Sequence, residues 1–548
     1  MTMKRGVRLI AYMIMGLATM QQVAFAQTAA ESTYVKDWFL LDPQTDHVQG
    51  VSAERTYSTL LKGKPSKTVI VAVIDSGIDI DHEDLKDIIW VNKKEIPGNG
   101  IDDDKNGYVD DIHGWNFLGN KNGTNVDADT YELTREYVRL KAKYENVAEK
   151  DVKKKEKEEY NYWQKIRDEF EESSRKSRIQ YEQYSTLYES MVYGIDTLRK
   201  VLGVEKLTPE VLDSLEATDE TMLMAKSILS KIFLSYGPDV EIDEFLGELK
   251  EAVDYFETQV KYGYNTEFDS RKIVGDNYGN MNEKGYGNND VEGPDPSHGT
   301  HVAGIIGANR KNTIGIKGIA DNVQIMSLRA VPNGDEHDKD VANAILYAVD
   351  NGAQIINMSF GKSYSPQKEA VDKAVKYAES KGVLLIHAAG NDGKNIDQSN
   401  NYPSRFFLNS KKESKNWIEV GASAWGQDDH FVATFSNYGK KSVDLFAPGV
   451  DIYSTYPNNN YKENSGTSMA SPSTTGVAAL LMSYFPELSA VEIKDILKQS
   501  SRKFDGLKVT KPGTEDAINF DQLSITGGLV NAYKAVELAM SLKGKKIE

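Results

Sequence analysis

Thr68-Val69-Ile70-Val71-Ala72-Val73-Ile74-Asp75-Ser76-Gly77-Ile78-Asp79 is a run of small and β-branched apolar residues that stops on an aspartate and a glycine turn. It is apolar at successive positions rather than alternate ones, as in a strand covered on both faces, and such strands belong to parallel sheets sandwiched by helices. An acid at the carboxyl end of such a strand stands where open α/β sheets place their chemistry. Taken alone, Asp75 is more simply explained as a strand-end turn former.

The same alternation continues downstream. Ile325 to Ala330, Gln354 to Ser359 and Val383 to Ala388 read as strands, with helices expected from Asp338 to Asn351 and Pro366 to Lys381. Trp417 to Ala422 and Val443 to Phe446 add shorter strands, Ser489 caps a helix to about Gln499, and Leu529 to Leu542 forms the last helix. Strand–helix alternation predicts an α/β fold: three layers, a mostly parallel sheet covered by helices on both faces.

Two further segments carry chemistry-bearing side chains. Asn464-Ser465-Gly466-Thr467-Ser468-Met469-Ala470-Ser471-Pro472 places a serine among small residues at the mouth of an apolar helical run. The small neighbours leave the hydroxyl open, Pro472 falls in the first helical turn, and the helix dipole points at any oxyanion formed there. Asp295-Pro296-Ser297-His298-Gly299-Thr300-His301 sets one of the chain's 8 histidines just before another small-residue helix. A nucleophilic serine needs a base, and the base needs an acid to hold its tautomer. Each residue taken singly is more simply a cap or a turn former.

In the order Asp75, His298, Ser468, the three segments resemble the subtilisin-like serine proteases, the subtilases. The resemblance extends to Ile355-Ile356-Asn357-Met358-Ser359-Phe360-Gly361, similar to the family's substrate-binding strand, and to Val383 to Asp392, similar to the strand that ends on the oxyanion-hole asparagine. Phe435-Ser436-Asn437-Tyr438-Gly439 and Ala447-Pro448-Gly449-Val450 match further signposts. The resemblance covers about residues 67–118 and 286–485. It implies a subtilisin-like three-layer fold and a catalytic set of Asp75, His298, Ser468 and Asn391. It also implies a substrate cleft walled by Ser359, Phe360 and Gly361 on one side and Ala388, Ala389 and Gly390 on the other. The run Ser473-Thr474-Thr475 departs from the family's pattern past the nucleophile, at helix positions where altered packing is the expected consequence.

The 548 residues suffice for several domains and a large core, and the net charge of -17 argues against nucleic acid and anionic membrane surfaces as partners. Lys4, Arg5 and Arg8 precede an apolar run from Leu9 to about Met20, and Ala24-Phe25-Ala26 offers a cleavage site. That is the form of a secretory signal peptide over residues 1–26. No later segment approaches the length needed to span a bilayer. With 0 cysteines there is neither a disulfide nor a lipid-modified cysteine anchor. The expected product is an exported bacterial protein, periplasmic or released. Residues 27–66 form an N-terminal extension too short for the inhibitory prodomain that secreted subtilases usually carry.

Two cation sites are expected. In Asp102-Asp103-Asp104-Lys105-Asn106-Gly107-Tyr108-Val109-Asp110, Asp102, Asp104 and Asn106 alternate ahead of a glycine, like the first half of an EF-hand loop. Tyr108 offers a carbonyl and Asp110 another carboxylate, while His113 at the twelfth position excludes a complete EF-hand. Resemblance implies a second calcium site at Asp84, helped by Asn312 and the carbonyls of Ile314 and Ile316. That loop lies one residue out of register with the family's pattern. No organic cofactor is expected.

The largest departure lies between the first two catalytic segments. Asp75 and His298 are 223 residues apart, where the family usually has a few dozen. From Thr124 to Tyr193 there is neither glycine nor proline, and apolar residues recur at helical spacing: Leu133, Tyr137, Leu140, Tyr144, then Trp163, Ile166, Phe170, then Tyr184, Leu187, Met191. Residues 120–285 therefore read as a charged α-helical insertion between two parts of a catalytic domain, 67–119 and 286–548. It is either a solvated elaboration of one loop or a lid or docking arm for a partner.

The function implied by the resemblance is secreted serine endopeptidase activity (EC 3.4.21.-) on peptide or protein substrates through an acyl-enzyme on Ser468. Two alternatives stand beside it: a peptide ligase or cyclase of the same fold, and a non-catalytic binding protein that uses the insertion.

Overall fold

The computed structural model describes residues 35–215 and 220–546. The expected signal peptide lies outside the described residues. Among those described, no helix is long and apolar enough to cross a membrane. The chain divides into two compact units, residues 134–266 and residues 35–133 with 267–546.

The larger unit is built on a nine-stranded sheet. Its strands in chain order begin with β1 (Val69–Asp75), β2 (Gly114–Asn116), β3 (Val323–Arg329), β4 (Ile355–Met358) and β5 (Leu384–Ala388). They continue with β6 (Trp417–Ser423) and β7 (Leu445–Pro448). A hairpin of β8 (Ile452–Tyr456) and β9 (Asn460–Asn464) and a second of β11 (Lys508–Thr510) and β12 (Ala517–Asn519) stand outside the sheet. β10 (Arg502–Lys503) and β13 (Gly528–Leu529) complete the sheet, giving the order β10-β13-β7-β6-β5-β4-β1-β3-β2. Every pairing in it is parallel except β10 with β13.

Strand β1 has β3 on one side and β4 on the other, so the strand order reverses there and a crevice opens at its carboxyl end. Its side chains feed both faces, as its unbroken apolar run requires. Val69, Val71 and Val73 join the core formed with Val302, Ile305, Val477 and Leu480, whereas Ala72 and Ile74 join that of Ile345, Val375 and Leu385. Helices Asp338–Asp350 and Lys368–Ser380 fall within two residues of their expected bounds. The Ala490–Ser500 helix carries the Ser489–Glu492 capping box in full.

The segment before β1 is not a loose extension. Trp38, Phe39 and Leu40 are fully buried in the same core as the Thr467–Tyr484 helix, and Trp38 Nε1 donates to the Asp451 carbonyl at 3.1 Å.

The smaller unit is helical, as its periodicity predicts. A 46-residue helix, Lys157–Leu202, ends on Gly203 in the left-handed region (φ 66°), where a side chain would be strained. Tyr184, Leu198, Leu229, Leu249 and Phe256 form its core. The unit is narrower than the 120–285 insertion read from composition. Residues 120–133 and 267–285 belong to the sheet unit, where Val126 packs against the second core face and Arg271 pairs with Asp340 at 2.6 Å.

Candidate active site

Asp75 ends β1 with 1% exposure, and its Oδ1 accepts from the Ser76 amide at 2.8 Å and faces His298 Nδ1 at 2.6 Å. The imidazole stands in the first turn of the Ser297–Gly307 helix. That helix can approach only because residue 299 is glycine: a Cβ there would lie 2.1 Å from the Gly77 carbonyl and 3.2 Å from Asp75 Cβ. The residues that looked separable in sequence are therefore joined by the closest of packing.

Burial works against a charge on His298, but the Asp75 carboxylate, by charge and by hydrogen bond, and Asp295 nearby outweigh it. The pKa of His298 is raised above its ordinary 6.5. Its side chain is 39% exposed, so part of the ring remains open to solvent.

Ser468 stands in the first turn of the Thr467–Tyr484 helix, where backbone amides have no intrahelical acceptor. Its Oγ donates to the Ser359 carbonyl at 3.0 Å, and Ser359 Oγ returns a bond to the Ser468 carbonyl at 2.9 Å. Asn357 braces that link, donating to Ser359 Oγ and accepting from Ser471 and Thr475. In the departing run past the nucleophile, Ser473 and Thr474 turn their hydroxyls back to the Met469 and Ala470 carbonyls.

Asn391 Oδ1 accepts from the Thr467 amide at 2.9 Å and from its hydroxyl at 3.1 Å. With the oxygen held in this way, the Nδ2 donors face away from that anchor, and the residue is exposed. Gly390 takes φ 96° and lies so close to Asn437 Nδ2 that a Cβ would meet it at 2.5 Å. Asn437 in turn donates to the Ala389 carbonyl and accepts from the Asp392 and Lys394 amides. The Phe435–Gly439 signpost thus shapes the turn that presents Asn391.

Of the expected cleft walls, Ala388 and Ala389 are buried, and Phe360 is partly buried against the second core face. A Cβ at Gly361 would meet Asn401 Oδ1 at 2.4 Å. Asn401, which the sequence did not single out, donates Nδ2 to the Ala388 carbonyl at 3.0 Å. It therefore lies against both walls.

The acidic loop closes differently from its EF-hand-like spacing. Ligand oxygens of Glu95, Asp102 and Asp104 lie within 4.8 Å of one another. Glu95 is 6% exposed, and its Oε2 is buried with no partner among the described residues. Asp110 lies outside that group, and its carboxylate accepts the amides of Gly98, Asn99 and Gly100. Asn106 Oδ1 accepts from the Tyr108 amide. An all-oxygen, multiply anionic cluster with an orphaned buried oxygen fits a hard divalent cation. At the second loop, Asp84 accepts from Asn312 Nδ2 at 2.6 Å and from the Ile316 amide at 3.0 Å. Asn312 Oδ1 is buried without a partner among the described residues, and Ile314 is exposed. Ile316 is thus turned with its N–H toward Asp84.

Among characterised proteins, a thermophilic serine proteinase from Bacillus sp. (strain AK1) is 43% identical over 211 residues, 38% of this chain and 48% of the relative. Subtilisin DY of Bacillus licheniformis is 38% identical over 208 residues, 37% of this chain and 70% of the relative. Thermitase of Thermoactinomyces vulgaris is 36% identical over 241 residues, 44% of this chain and 75% of the relative. The match spans about half the length of the first of these. The model of the Subtilase family matches residues 66–522, which take in β1, the histidine helix and the serine helix alike, and the chain belongs to that family.

Proposed function

We propose that this protein is an exported serine endopeptidase that cleaves peptide bonds by acyl transfer. The observation that carries the reading is the 2.6 Å contact between His298 Nδ1 and Asp75 Oδ1 at the carboxyl end of β1, where the strand order reverses. It holds the imidazole with Nδ1–H toward the carboxylate and leaves Nε2 to act as base.

Substrate lies extended beside Ser359–Gly361, pairing as an added strand. The Ser468 hydroxyl leaves the Ser359 carbonyl, gives its proton to His298 Nε2, and Oγ bonds to the peptide carbon. The tetrahedral oxyanion is held by the Ser468 amide and Asn391 Nδ2. The C–N bond breaks as His298 returns the proton to the leaving amine. Water, deprotonated by the same imidazole, then attacks the acyl carbon, the C–Oγ bond breaks, and His298 returns the proton to Ser468 Oγ. Asp75 stabilises the imidazolium throughout.

Calcium is the proposed ion of both acidic loops. Glu95, Asp102 and Asp104 would hold one ion, Asp84 and Asn312 another. The ion supplies neutralising charge and stability to loops that otherwise cluster like charges.

The test is labelling with a fluorophosphonate together with turnover of a mixed peptide library. Labelling and cleavage that both vanish in Ser468→Ala are expected. Folded, calcium-loaded protein that takes no label would overturn the reading.

A further inference from the structure

Lys362 follows Gly361 directly, and its side chain is only 1% exposed. Its Nζ reaches Glu132 Oε2 at 2.7 Å, Asp338 Oδ1 at 2.9 Å and the Glu336 carbonyl at 2.7 Å. An ammonium has three donors, and here all three have acceptors. The backbone of the same residue is pinned on the other side, with its N–H donating to the Tyr402 carbonyl at 3.0 Å and its carbonyl accepting from the Tyr402 amide at 2.8 Å.

Glu132 opens the helix that leads out of the sheet unit, two residues before the helical unit begins at Thr134. Its amide donates to Asp335 Oδ2 at 2.8 Å. Asp129 on the same stem pairs with His337 at 3.0 Å and accepts from Ser270, where the chain has come back. The outgoing stem, the returning stem, the 335–338 loop and the end of the substrate strand thus share one buried polar cluster. All of these residues belong to the sheet unit.

A buried ion pair of this kind is a poor source of stability, because desolvation offsets its attraction, but it enforces one geometry. That geometry bears on the cleft. Ser359, three residues before Lys362, exchanges two hydrogen bonds with Ser468. The substrate segment is therefore fixed at one end by the nucleophile and at the other by Lys362.

We propose that Lys362 and Glu132 form a positioning pair, through which the stem of the insertion holds the peptide-binding edge in register. The proposal rests on the peptidase reading for the identity of the substrate. It assigns the stem a part in binding extended peptides that a small active-site reagent would not sense.

The test compares Glu132→Gln, Lys362→Met and the double variant. KM and kcat are measured with an extended peptide amide, alongside the rate of labelling by a fluorophosphonate that carries no peptide. Binding of the same peptide is measured by anisotropy in a Ser468→Ala background. A rise in KM and in peptide Kd on the order of tenfold is expected, since small misplacements of a binding edge weigh heavily. The labelling rate should stay near that of the parent, and the double variant should be no worse than Lys362→Met alone. Glu132→Gln keeps Asp338 beside the lysine and so guards against simple misfolding. Lower melting temperatures with KM and Kd unchanged would reduce the pair to a brace and overturn the proposal. So would labelling that falls in parallel with peptide binding, or Ser468→Ala protein that binds no peptide. Binding without any hydrolysis by the parent would overturn only the peptidase reading.

Discussion

Ser468 and Ser359 hold each other by two reciprocal hydrogen bonds, hydroxyl to carbonyl in each direction, at 3.0 and 2.9 Å. The nucleophile is thereby tied to the near end of the substrate segment, three residues from Lys362, and the hydroxyl rests on a carbonyl until a substrate displaces it. Ser468→Ala is expected to lower kcat by about 10⁶. Asn391→Leu is expected to cost about 10²–10³, the usual loss for one oxyanion donor. Ser359→Ala removes the returning bond and the acceptor of Asn357 Nδ2, each worth about 1 kcal/mol, and should cost roughly 30-fold. Steady-state rates on one peptide amide check all three, and an equal loss for Ser359 and Ser468 would refute the assignment.

The raised pKa of His298 sets the acid limb of activity. The base must be neutral, so kcat/KM should fall on acidification with a midpoint above 6.5. Stability runs the other way. Asp75 favours the charged ring, so its contribution is present in full below the unfolded value and fades as pH rises through the folded one. Asp75→Asn should move the acid limb down and lower kcat by about 10⁴. A pH–rate profile of both proteins checks the sign.

Calcium should raise the melting temperature. At a hundredfold excess over Kd, binding to the native state alone adds about 2.7 kcal/mol. At roughly 2 °C per kcal/mol for a large domain, chelation should cost about 5 °C. Glu95→Gln should remove much of that difference, while Asp110→Asn should act in its presence and absence alike, because Asp110 holds loop amides. Scanning calorimetry with calcium and with chelator distinguishes them.

The helical unit should be removable at its true bounds. Thr134 Oγ1 lies 2.6 Å from the Gly263 carbonyl, so a short glycine–serine linker can replace residues 134–266. Turnover of a small peptide ester should survive that excision. A wider cut at 126–280 deletes Arg271 and leaves Asp340 buried without its guanidinium partner. An uncompensated buried charge costs about 3–5 kcal/mol, so the wider variant should lose soluble yield and melting temperature.

Much of this molecule is legible in local pattern. The apolar run of β1, the alternation after residue 318, the small-residue helix mouths and the helical stripe from Leu133 to Met191 report what each segment must do with its own neighbours. Segment chemistry also pointed to Asp75, His298 and Ser468, the family resemblance added Asn391, and the structure places the first two in direct contact. The bounds of the insertion were less legible, because charge and the absence of glycine mark a helix without telling which core its ends join.

Sequence alone determined the secondary-structure order, the parallel sheet and the residue types that can carry acyl transfer, since these follow from periodicity and side-chain chemistry within a few positions. Tertiary structure decided which groups meet: Glu95 beside Asp102 and Asp104, Asn401 between the cleft walls, Trp38 under the Asp451 turn, and Glu132 against Lys362. Such partners lie up to 413 residues apart, and no local propensity selects one buried carboxylate or indole over another. Only the packing of the whole chain, where each buried polar group must find its partner, makes that choice.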